Sequence, residues 1–514
     1  MKGAEGLLST ARAAGVDVCF ANPGTTEMPL VEAFDSTPGV RTVLGLSEGV
    51  VTGAADGFSR MRGVPAMTLL HLGPGFANGI ANLHNARRGR TPLINVVGEH
   101  ASWHQAADAP LASDIDSLAR PVSGWVGRTT SAESAAAEFV AARQAALAER
   151  MPATLIAAAD HMWSEGGEQA DVPQAPEPST VDAERVEGMA KLLAGQGRPA
   201  LLLGGAALGA EGLRLASRIA ATVGGTVFAE RNPARIERGP GIPAVPTLPY
   251  FPEDNLAALR DCTHLVLVGT GIPVSFFGYQ DQPSVPVPPE TQVHTLADTG
   301  EDTLAALRAL AEATGSGAAE PPAHEPAELR APQGALHAKA IATAIALTQP
   351  EHSIIVNEGV SSAAAYPAVA AAAPAHTELD LPGGAIGMGV PLSTGAALAC
   401  PDRPVIDFQA DGSAFYTLQG LWTQAREGLD VTTVICANSR YRILDVELGR
   451  AGVQQPGPAA DGMTSLGDPG ADWVSLAGGF GVPGSRATTG DELRAALQRA
   501  HAEPGPHLIE AVMT

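Results

Sequence analysis

A chain of 514 residues with 45% hydrophobic residues and 58 glycines has the composition of a globular α/β protein of about three domains. Its formal net charge of −23 argues against non-specific binding to nucleic acid or to an anionic membrane surface. No apolar stretch approaches the ~20 residues of a membrane span, and the N-terminal residues are typical of an amphipathic helix rather than a signal peptide. We therefore expect a cytoplasmic protein whose partners are small molecules, with neither nucleic acid nor membrane among them.

Two acidic segments rich in proline and glycine divide the chain. Residues 164–184 and 313–334 can bury little apolar surface, so we expect linkers there. The three parts that remain are predicted to be domains, at residues 1–165, 185–312 and 335–514.

Within each part, strand-like runs alternate with Ala-rich helical stretches. This order predicts parallel sheets with right-handed crossovers, and hence an α/β fold of three doubly wound parallel-sheet domains. One long helix is predicted at 412–428. The predicted strands are 16–22, 41–46, 66–72, 93–98 and 153–159, then 200–205, 226–230, 264–271 and 292–297, and finally 353–359, 404–409, 431–438 and 507–513.

Two polar residues of the first part stand at predicted strand ends. Glu48 begins a helix rich in Gly and Ala, where a carboxyl group would be poorly hydrated among small apolar neighbours. The alternative is a glutamate that only stabilises the N-terminus of that helix. His71 ends the next predicted strand, where an imidazole either transfers protons near neutral pH or caps a turn.

In the third part, Asp411 and Asn438 follow two successive predicted strands. The carboxyl ends of parallel strands meet at one sheet edge, so the pair predicts a site for a divalent metal and a diphosphate. Oxygens of Asp411 and Asn438, with the backbone carbonyl of Arg440, suit Mg²⁺. Gly412 and Ser413 would let the chain approach the phosphates. The alternative is an ordinary βαβ unit with an Asp-Gly turn.

The run from Ala410 to Asn438 resembles the metal-diphosphate motif of thiamine-diphosphate-dependent enzymes, usually Gly-Asp-Gly-Ser ending in Asn-Asn. Ala410 and Ala437 replace residues that supply no metal-binding side chain. Glu48 and the Ala-Asp-Gly-Phe-Ser-Arg of 55–60 resemble the family's activating-glutamate helix. In that family the glutamate bonds to N1′ of the cofactor's aminopyrimidine, which promotes loss of the thiazolium C2 proton.

Two further segments of the first part carry the resemblance. Residues 22–29, Asn-Pro-Gly-Thr-Thr-Glu-Met-Pro, resemble a segment of benzoylformate decarboxylases. Residues 71–78 resemble the His-containing segment of those enzymes and also carry the Gly-Pro-Gly of acetolactate synthase large subunits. The resemblance implies that Thr25 contacts a substrate carboxylate and that His71 is an acid/base at the reacting carbon. It places Pro23, Gly24 and Asn78 at the cofactor.

Residues 378–399 resemble the family's pyrimidine-binding loop and the helix after it. By that resemblance Ile386 would wedge beneath the cofactor, and the backbone of Gly384 and Ile386 would bind the aminopyrimidine edge. Met388 would be a neighbouring wall, and Ser361 would reach the diphosphate. The alternative is a Gly-rich turn before a buried helix.

The chain departs from the decarboxylase pattern in its middle part. Benzoylformate decarboxylases place a second catalytic His there, whereas the matching stretch has Phe276 and Phe277. This loss would slow release of a protonated product and favour transfer to another electrophile, or the two rings would form an apolar lid. Ile443, bulkier than the Ala of those enzymes, favours a substrate other than an aryl 2-oxo acid. The Gly204-Gly205 turn lacks a full dinucleotide fingerprint, so FAD is not predicted.

The resemblance implies a thiamine-diphosphate- and Mg²⁺-dependent enzyme that decarboxylates a 2-oxo acid non-oxidatively, with carboligation as a second outcome. One alternative is an acetolactate-synthase-like ligase that condenses two 2-oxo acids, and another is a non-catalytic cofactor-binding paralogue. In this family the two ends of a cofactor contact two subunits. Glu48 and Asp411 are therefore expected to act across the interface of a homodimer or homotetramer.

Overall fold

The computed structural model describes residues 1–318 and 328–514. The part of the predicted linker 313–334 that spans 319–327 lies outside the described residues. The chain forms two compact units. The first combines residues 1–176, 330–366 and 383–514, and the second combines 177–329 and 367–382. The predicted first and third domains therefore share one unit, and a short segment of the predicted third domain belongs to the second.

The N-terminal part of the first unit is a six-stranded parallel sheet of order β2-β1-β3-β4-β6-β5. Between β1 and β3 the strand order reverses, and such a switch point opens a crevice at the carboxyl ends of the strands. The strands are β1 (Val18–Asn22), β2 (Arg41–Leu44), β3 (Ala66–Leu70), β4 (Leu93–Glu99), β5 (Trp125–Arg128) and β6 (Pro152–Ala158). The helices are α1 (Gly3–Ala13), α2 (Met28–Ser36), α3 (Glu48–Arg62), α4 (Leu72–Arg88), α5 (Ile115–Ala119), α6 (Ala135–Glu149) and α7 (Ala159–Trp163), with 3-10 turns at Thr25–Glu27 and Gln105–Ala107.

The second unit contains a four-stranded parallel sheet of order β11-β10-β7-β8. Its strands are β7 (Pro199–Leu203), β8 (Thr226–Ala229), β9 (Ile236–Arg238), β10 (His264–Val268) and β11 (Gln292–Ala297), of which β9 lies outside this sheet. Its helices are α8 (Ala183–Leu193), α9 (Ala210–Val223), α10 (Pro252–Ala258) and α11 (Thr303–Ala313), with 3-10 turns at Gly205–Leu208 and Ser316–Ala318.

The C-terminal part of the first unit forms a parallel sheet of order β16-β17-β15-β14-β12. The strands are β12 (Ile354–Glu358), β13 (His376–Leu379), β14 (Val405–Ala410), β15 (Val431–Ala437), β16 (Gly484–Ala487) and β17 (His507–Val512). The helices are α12 (Ala338–Thr348), α13 (Tyr366–Ala370), α14 (Gly389–Ala399), α15 (Asp411–Ala414), α16 (Gly420–Glu427), α17 (Arg442–Arg450), α18 (Pro458–Thr464), α19 (Trp473–Gly479) and α20 (Gly490–Ala502). In the second unit, β13 pairs antiparallel with β9.

The predicted α/β class with three parallel-dominated sheets is confirmed, and each predicted strand is present within a few residues. Four strands were not predicted: β5, β9, β13 and β16. They are only three or four residues long, too short to show a periodic pattern. The predicted helix 412–428 is wrong as one element, because the chain leaves the helical path between α15 and α16.

Two helices of the first unit, α3 and α14, pack with their backbones in direct contact. A Cβ added to Gly57 would overlap the carbonyl group of Leu392, and one added to Gly395 would overlap that of Ala54. Only glycine permits such an approach. The contact encloses a buried ion pair, Asp56 with Arg60, and fixes the helix that starts at Glu48.

The cysteines are free thiols, of which Cys19 and Cys436 are buried, whereas Cys262 and Cys400 are half-buried. In the described ranges, no helix has the length and apolarity that a membrane crossing requires.

Candidate active site

His71 and Glu27 meet at the switch point of the first sheet, just after the ends of β3 and β1. The Glu27 carboxylate is fully buried. Its Oε2 lies 2.8 Å from Nδ1 of His71 and accepts the N–H of Gly24 at 2.7 Å, while Oε1 accepts the Thr26 hydroxyl at 2.5 Å. A carboxylate acceptor places the imidazole proton on Nδ1, so Nε2, for which the described residues offer no partner, is the atom left for proton exchange.

The backbone around this pair is shaped to admit it. A Cβ on Gly24 would overlap the His71 ring, and a Cβ on Gly98 would overlap the Glu27 carboxylate. Leu72, which follows His71, is buried and has a φ of 52°. A non-glycine residue in the left-handed region is strained, and such strain concentrates at functional sites.

Glu48 lies beside the same cluster. It is the first residue of α3, is half-buried, and its Oε2 accepts a hydrogen bond from Nδ2 of Asn78 at 3.1 Å. A Cβ placed on Gly75 would lie 3.1 Å from Oε1 of Glu48 and 3.3 Å from Cβ of His71. Glu48 and His71 therefore flank the bare backbone of Gly75, with no side chain between them.

The predicted pyrimidine loop is held at alternate residues. Asn85 of α4 accepts the N–H of Ala385 at 3.2 Å and donates to its carbonyl at 2.7 Å. The hydroxyl of Thr417 donates to the carbonyl of Gly387 at 2.8 Å. Across the described residues, the backbone groups of Gly384 and Ile386 take no hydrogen bond. They remain available to a ligand with donors and acceptors along one edge, as an aminopyrimidine has.

The predicted metal ligands come together at the carboxyl ends of β14 and β15. Oδ1 of Asp411 accepts the N–H of Gly412 at 2.8 Å, and Oδ2 accepts that of Ser439 at 2.6 Å. Oδ1 of Asn438 accepts the N–H of Arg440 at 2.9 Å. Burial raises the pKa of Asp411, and these N–H bonds oppose that rise.

These oxygens keep free lone pairs, and hard oxygen ligands with few carboxylates suit Mg²⁺ bound mainly by phosphate. The described part of the chain has no group of three or more His, Cys, Asp and Glu side chains that could hold a metal by themselves. A metal here would need a ligand's own oxygens, so the residues present fit a magnesium diphosphate.

The Arg440 side chain links the loop after β15 to the two helices that follow it by hydrogen bonds. Its guanidinium donates to Asp445 at 2.8 Å, to Asp461 at 2.9 Å and to Thr464 at 2.9 Å. Asp445 lies on α17, and the other two lie on α18. The backbone carbonyl that we expect to bind the metal thus belongs to an anchored residue.

The other residues with predicted roles differ in how far they are exposed to solvent. Thr25 is exposed, whereas Pro23 and Ser361 are half-buried and Ser413 is buried. Met388 is fully buried, with its Sδ 3.7 Å from the Arg60 guanidinium, so its side chain packs against α3. Residues that contact the site but carried no predicted role are Thr26, Glu27, Asn82, Asn85, Glu358 and Thr417.

In the second unit, Phe276 packs against Tyr250 with ring centroids 5.1 Å apart, and Phe277 is 57% exposed. The two rings that stand where a decarboxylase His was expected are therefore in different environments, one inside an aromatic cluster and one at the surface.

Fold and site together describe an α/β protein with oxygen ligands of Asp411 and Asn438 at the strand ends of one sheet and a His71–Glu27 pair at the strand ends of another. Two family models match the chain: the N-terminal TPP binding domain of thiamine pyrophosphate enzymes at residues 1–119 and the C-terminal TPP binding domain at 359–511. The chain belongs to the thiamine pyrophosphate enzyme family.

Several relatives match this chain over nearly its full length, among them the two described next. A Mycobacterium tuberculosis protein named "Putative acetolactate synthase large subunit IlvX" is 48% identical over 100% of this chain and 99% of its own. Benzoylformate decarboxylase of Pseudomonas aeruginosa is 31% identical over 96% of both chains. The solved structure of a Rhodococcus jostii thiamine-diphosphate-dependent 4-hydroxybenzoylformate decarboxylase superposes with a TM-score of 0.86 at 23% identity, covering 100% of this chain and 99% of that one. That last likeness establishes the fold. The chain is thus a thiamine-diphosphate-dependent enzyme of the decarboxylase or acetolactate-synthase kind.

Proposed function

We propose that the protein is a thiamine-diphosphate- and Mg²⁺-dependent enzyme that decarboxylates a 2-oxo acid without oxidation and can pass the acyl group to an acceptor. The observation that carries the proposal is the placement of Glu48 and His71 on either side of Gly75. One carboxylate and one imidazole, each held by a side-chain partner, are the two proton-transfer groups that this chemistry needs.

Bound thiamine diphosphate would supply a nucleophilic carbon and an electron sink. Glu48 would hold the proton at N1′ of the aminopyrimidine, with Asn78 fixing its carboxylate. Nε2 of His71 would exchange a proton with the substrate at the reacting carbon, while Glu27 keeps Nδ1 protonated and stabilises the imidazolium form. The exposed hydroxyl of Thr25 would orient the substrate carboxylate.

At the other end of the cofactor, Asp411, Asn438 and the backbone carbonyl of Arg440 would hold Mg²⁺. Gly412 would admit the phosphates, since a Cβ there would press against the ring of Tyr441. Removal of Mg²⁺ with a chelator should abolish retention of thiamine diphosphate on gel filtration, and added Mg²⁺ should restore it. Full retention without any divalent ion would contradict this assignment.

A second candidate is a ligase of the acetolactate-synthase type. It is supported by the absence of a histidine beside Phe276 and by the name of the 48%-identical relative. Without a second proton donor, the acyl group would be transferred to a second 2-oxo acid rather than released as an aldehyde. Ile443 favours small or aliphatic donors over aryl ones in either case.

The test is CO2 release from a panel of 2-oxo acids, from small aliphatic to aryl, with thiamine diphosphate and Mg²⁺ supplied. A free aldehyde would identify a decarboxylase, and a 2-hydroxy ketone or a 2-hydroxy-3-oxo acid would identify a ligase. Binding of the cofactor without CO2 release from any donor would contradict both and favour a non-catalytic paralogue.

We further propose a site shared between the subunits of a homodimer or homotetramer, with Glu48 of one chain and Asp411 of another. Mixing inactive Glu48→Gln and Asp411→Asn variants under subunit exchange would then restore up to about a quarter of the wild-type activity. About half of the dimers would be mixed, and one of the two sites in each mixed dimer would be intact. No recovery in verified mixed oligomers would place both residues in one chain's site.

A further inference from the structure

Two acidic side chains lie buried beneath the pyrimidine loop, at the neighbouring strands β12 and β14. Glu358 is 1% exposed and Asp407 is 0% exposed. Glu358 pairs in register with Gln409, which is also fully buried, and Asp407 precedes it by two residues on the same strand. Two buried carboxyl groups without a cationic partner are costly unless hydrogen bonds or protonation compensate them.

Glu358 is compensated by four N–H donors. Its Oε1 accepts the backbone N–H groups of Gly387 at 2.7 Å and Met388 at 3.0 Å. Its Oε2 accepts that of Gly389 at 2.6 Å and Nε2 of Gln409 at 2.8 Å. The three backbone donors stand at the N-terminus of α14, where unpaired amides and the helix dipole favour a negative charge. Glu358 therefore caps α14 from a neighbouring strand.

Asp407 has no such support. Its Oδ1 is buried and has no hydrogen-bond partner among the described residues, and its Oδ2 lies 3.4 Å from the Thr433 hydroxyl. A Cβ on Gly389 would lie 2.7 Å from Oδ1 of Asp407 and 2.9 Å from Oε2 of Glu358, so the two carboxyl groups face each other across bare backbone. Burial and the charge of Glu358 hold the pKa of Asp407 well above its usual range.

Burial also raises the pKa of Glu358, but its four N–H donors oppose that rise. The four N–H donors around Glu358, and the absence of a donor to Oδ1 of Asp407 among the described residues, favour a negative charge on Glu358 and a neutral Asp407. A second negative charge on Asp407, beside Glu358 in a dry interior, would be strongly unfavourable.

We propose that Glu358 is a positioning residue for the cofactor: its ionised carboxylate fixes residues 387–389, and with Asn85 it presents the free backbone groups of Gly384 and Ile386 to the aminopyrimidine. Asp407 fills the space beside it as a neutral side chain. The proposal rests on the proposed function, since it assigns the aminopyrimidine to this loop.

The two acids should respond differently to amide substitution. In Glu358→Gln, both carboxylate oxygen positions face two N–H donors, so either orientation of the amide sets its NH2 against other donors. In Asp407→Asn, a neutral group of nearly the same shape replaces a neutral carboxyl. The pair thus contains its own matched control.

The experiment compares wild type, Glu358→Gln and Asp407→Asn as full-length proteins, using calorimetric titration with thiamine diphosphate and separately with inorganic pyrophosphate, both with Mg²⁺. For Glu358→Gln we expect thiamine-diphosphate binding at least about tenfold weaker and pyrophosphate binding unchanged, because only the pyrimidine end is disturbed. For Asp407→Asn we expect both affinities to stay within about twofold of wild type. A general loss of structure would weaken both ligands together.

Equal weakening of both ligands by Glu358→Gln, unchanged thiamine-diphosphate binding, or an effect of Asp407→Asn as large as that of Glu358→Gln would overturn the proposal. Should Glu358→Gln not fold, Thr417→Val is tested with the same two ligands. It removes the 2.8 Å hydrogen bond to the Gly387 carbonyl and should weaken thiamine-diphosphate binding by a smaller factor. Wild-type protein that binds pyrophosphate but no thiamine diphosphate would overturn the proposed function and this inference with it.

Discussion

The fully buried carboxylate of Glu27 contacts His71, with Oε2 2.8 Å from the imidazole Nδ1. The carboxylate is itself fixed by the N–H of Gly24 and the hydroxyl of Thr26. This chain of contacts determines which ring nitrogen carries the proton and which one is left without a partner among the described residues. His71 is therefore oriented by a residue that needs no contact with substrate.

Glu27→Gln should preserve the shape of this cluster and remove its charge. We expect kcat/KM for 2-oxo acid decarboxylation to fall about 10- to 100-fold, because the imidazolium form loses its counter-charge. Affinity for thiamine diphosphate should stay unchanged, which calorimetry can check. Thr26→Val is the control for a lost hydrogen bond without a lost charge and should have a smaller effect. A Glu27→Gln enzyme with wild-type kcat/KM would show that the contact is only structural.

Gly24→Ala should displace His71, because the new Cβ would occupy the position of the imidazole ring. We expect turnover to fall at least about tenfold, since small displacements of a catalytic group are costly. Gly188→Ala is the matched control: no atom lies within 4 Å of its Cβ position in α8, so activity should be unchanged. Equal activity of Gly24→Ala and wild type in the same assay would argue against a role for His71.

The side chains of the Asp56–Arg60 pair, both on α3, are 0% and 2% exposed. Asp56→Asn leaves a buried guanidinium without its counter-charge, so the free energy of unfolding should fall by about 3–5 kcal/mol. Glu32→Gln, which removes the exposed partner of Lys2, should leave the free energy of unfolding nearly unchanged, because solvent screens an exposed ion pair. All five tryptophans lie in the first unit, so their fluorescence in urea follows this unit. Similar losses in both variants would contradict the burial argument.

His501 of α20 should make stability depend on pH. Its Nε2 is buried without a partner in the described structure, and burial, with a smaller effect of His507, lowers its pKa to about 4. The folded state therefore prefers neutral His501, and this contribution is complete above about pH 6.5 and is lost as pH falls towards 4.

At pH 5 the loss should approach about 2 kcal/mol relative to pH 7.5. Thermal or urea unfolding of His501→Leu at both pH values should show a smaller difference than wild type. The exposed His352→Gln should leave the wild-type difference unchanged. A pH dependence that is the same in all three proteins would remove His501 as its cause.

The sequence allowed the positions of Asp411 and Asn438 to be predicted, because each directly follows a strand of β-branched and apolar residues. The predicted strand 404–409 became β14 (Val405–Ala410), and Asp411 and Asn438 follow the ends of the paired strands β14 and β15 as expected. The position of Glu48 at the start of a helix was likewise predictable from the run of small residues that follows it.

No role was predicted for Glu27 or Glu358, because each is buried by backbone that lies far from it in the sequence. Glu27 is accommodated by Gly98 of β4, and Glu358 by the amides of a loop that follows in sequence but packs above it. No local pattern reveals such pairings.

The break in the predicted helix 412–428 also depends on residues that are distant in the sequence. Between α15 and α16, the Thr417 hydroxyl donates to the carbonyl of Gly387, and Phe415 packs on Trp473 with ring centroids 4.6 Å apart.

The central claim is that the Glu48 carboxylate activates bound thiamine diphosphate. The most direct measurement is the rate of C2 hydrogen–deuterium exchange of the bound cofactor, in wild type and in Glu48→Gln, with no substrate present. We predict exchange on wild-type protein at least about 10²-fold faster than on Glu48→Gln, with similar cofactor affinity and unchanged folding. Equal exchange rates on two proteins that both hold the cofactor would contradict the assigned role of Glu48 and the mechanism built on it.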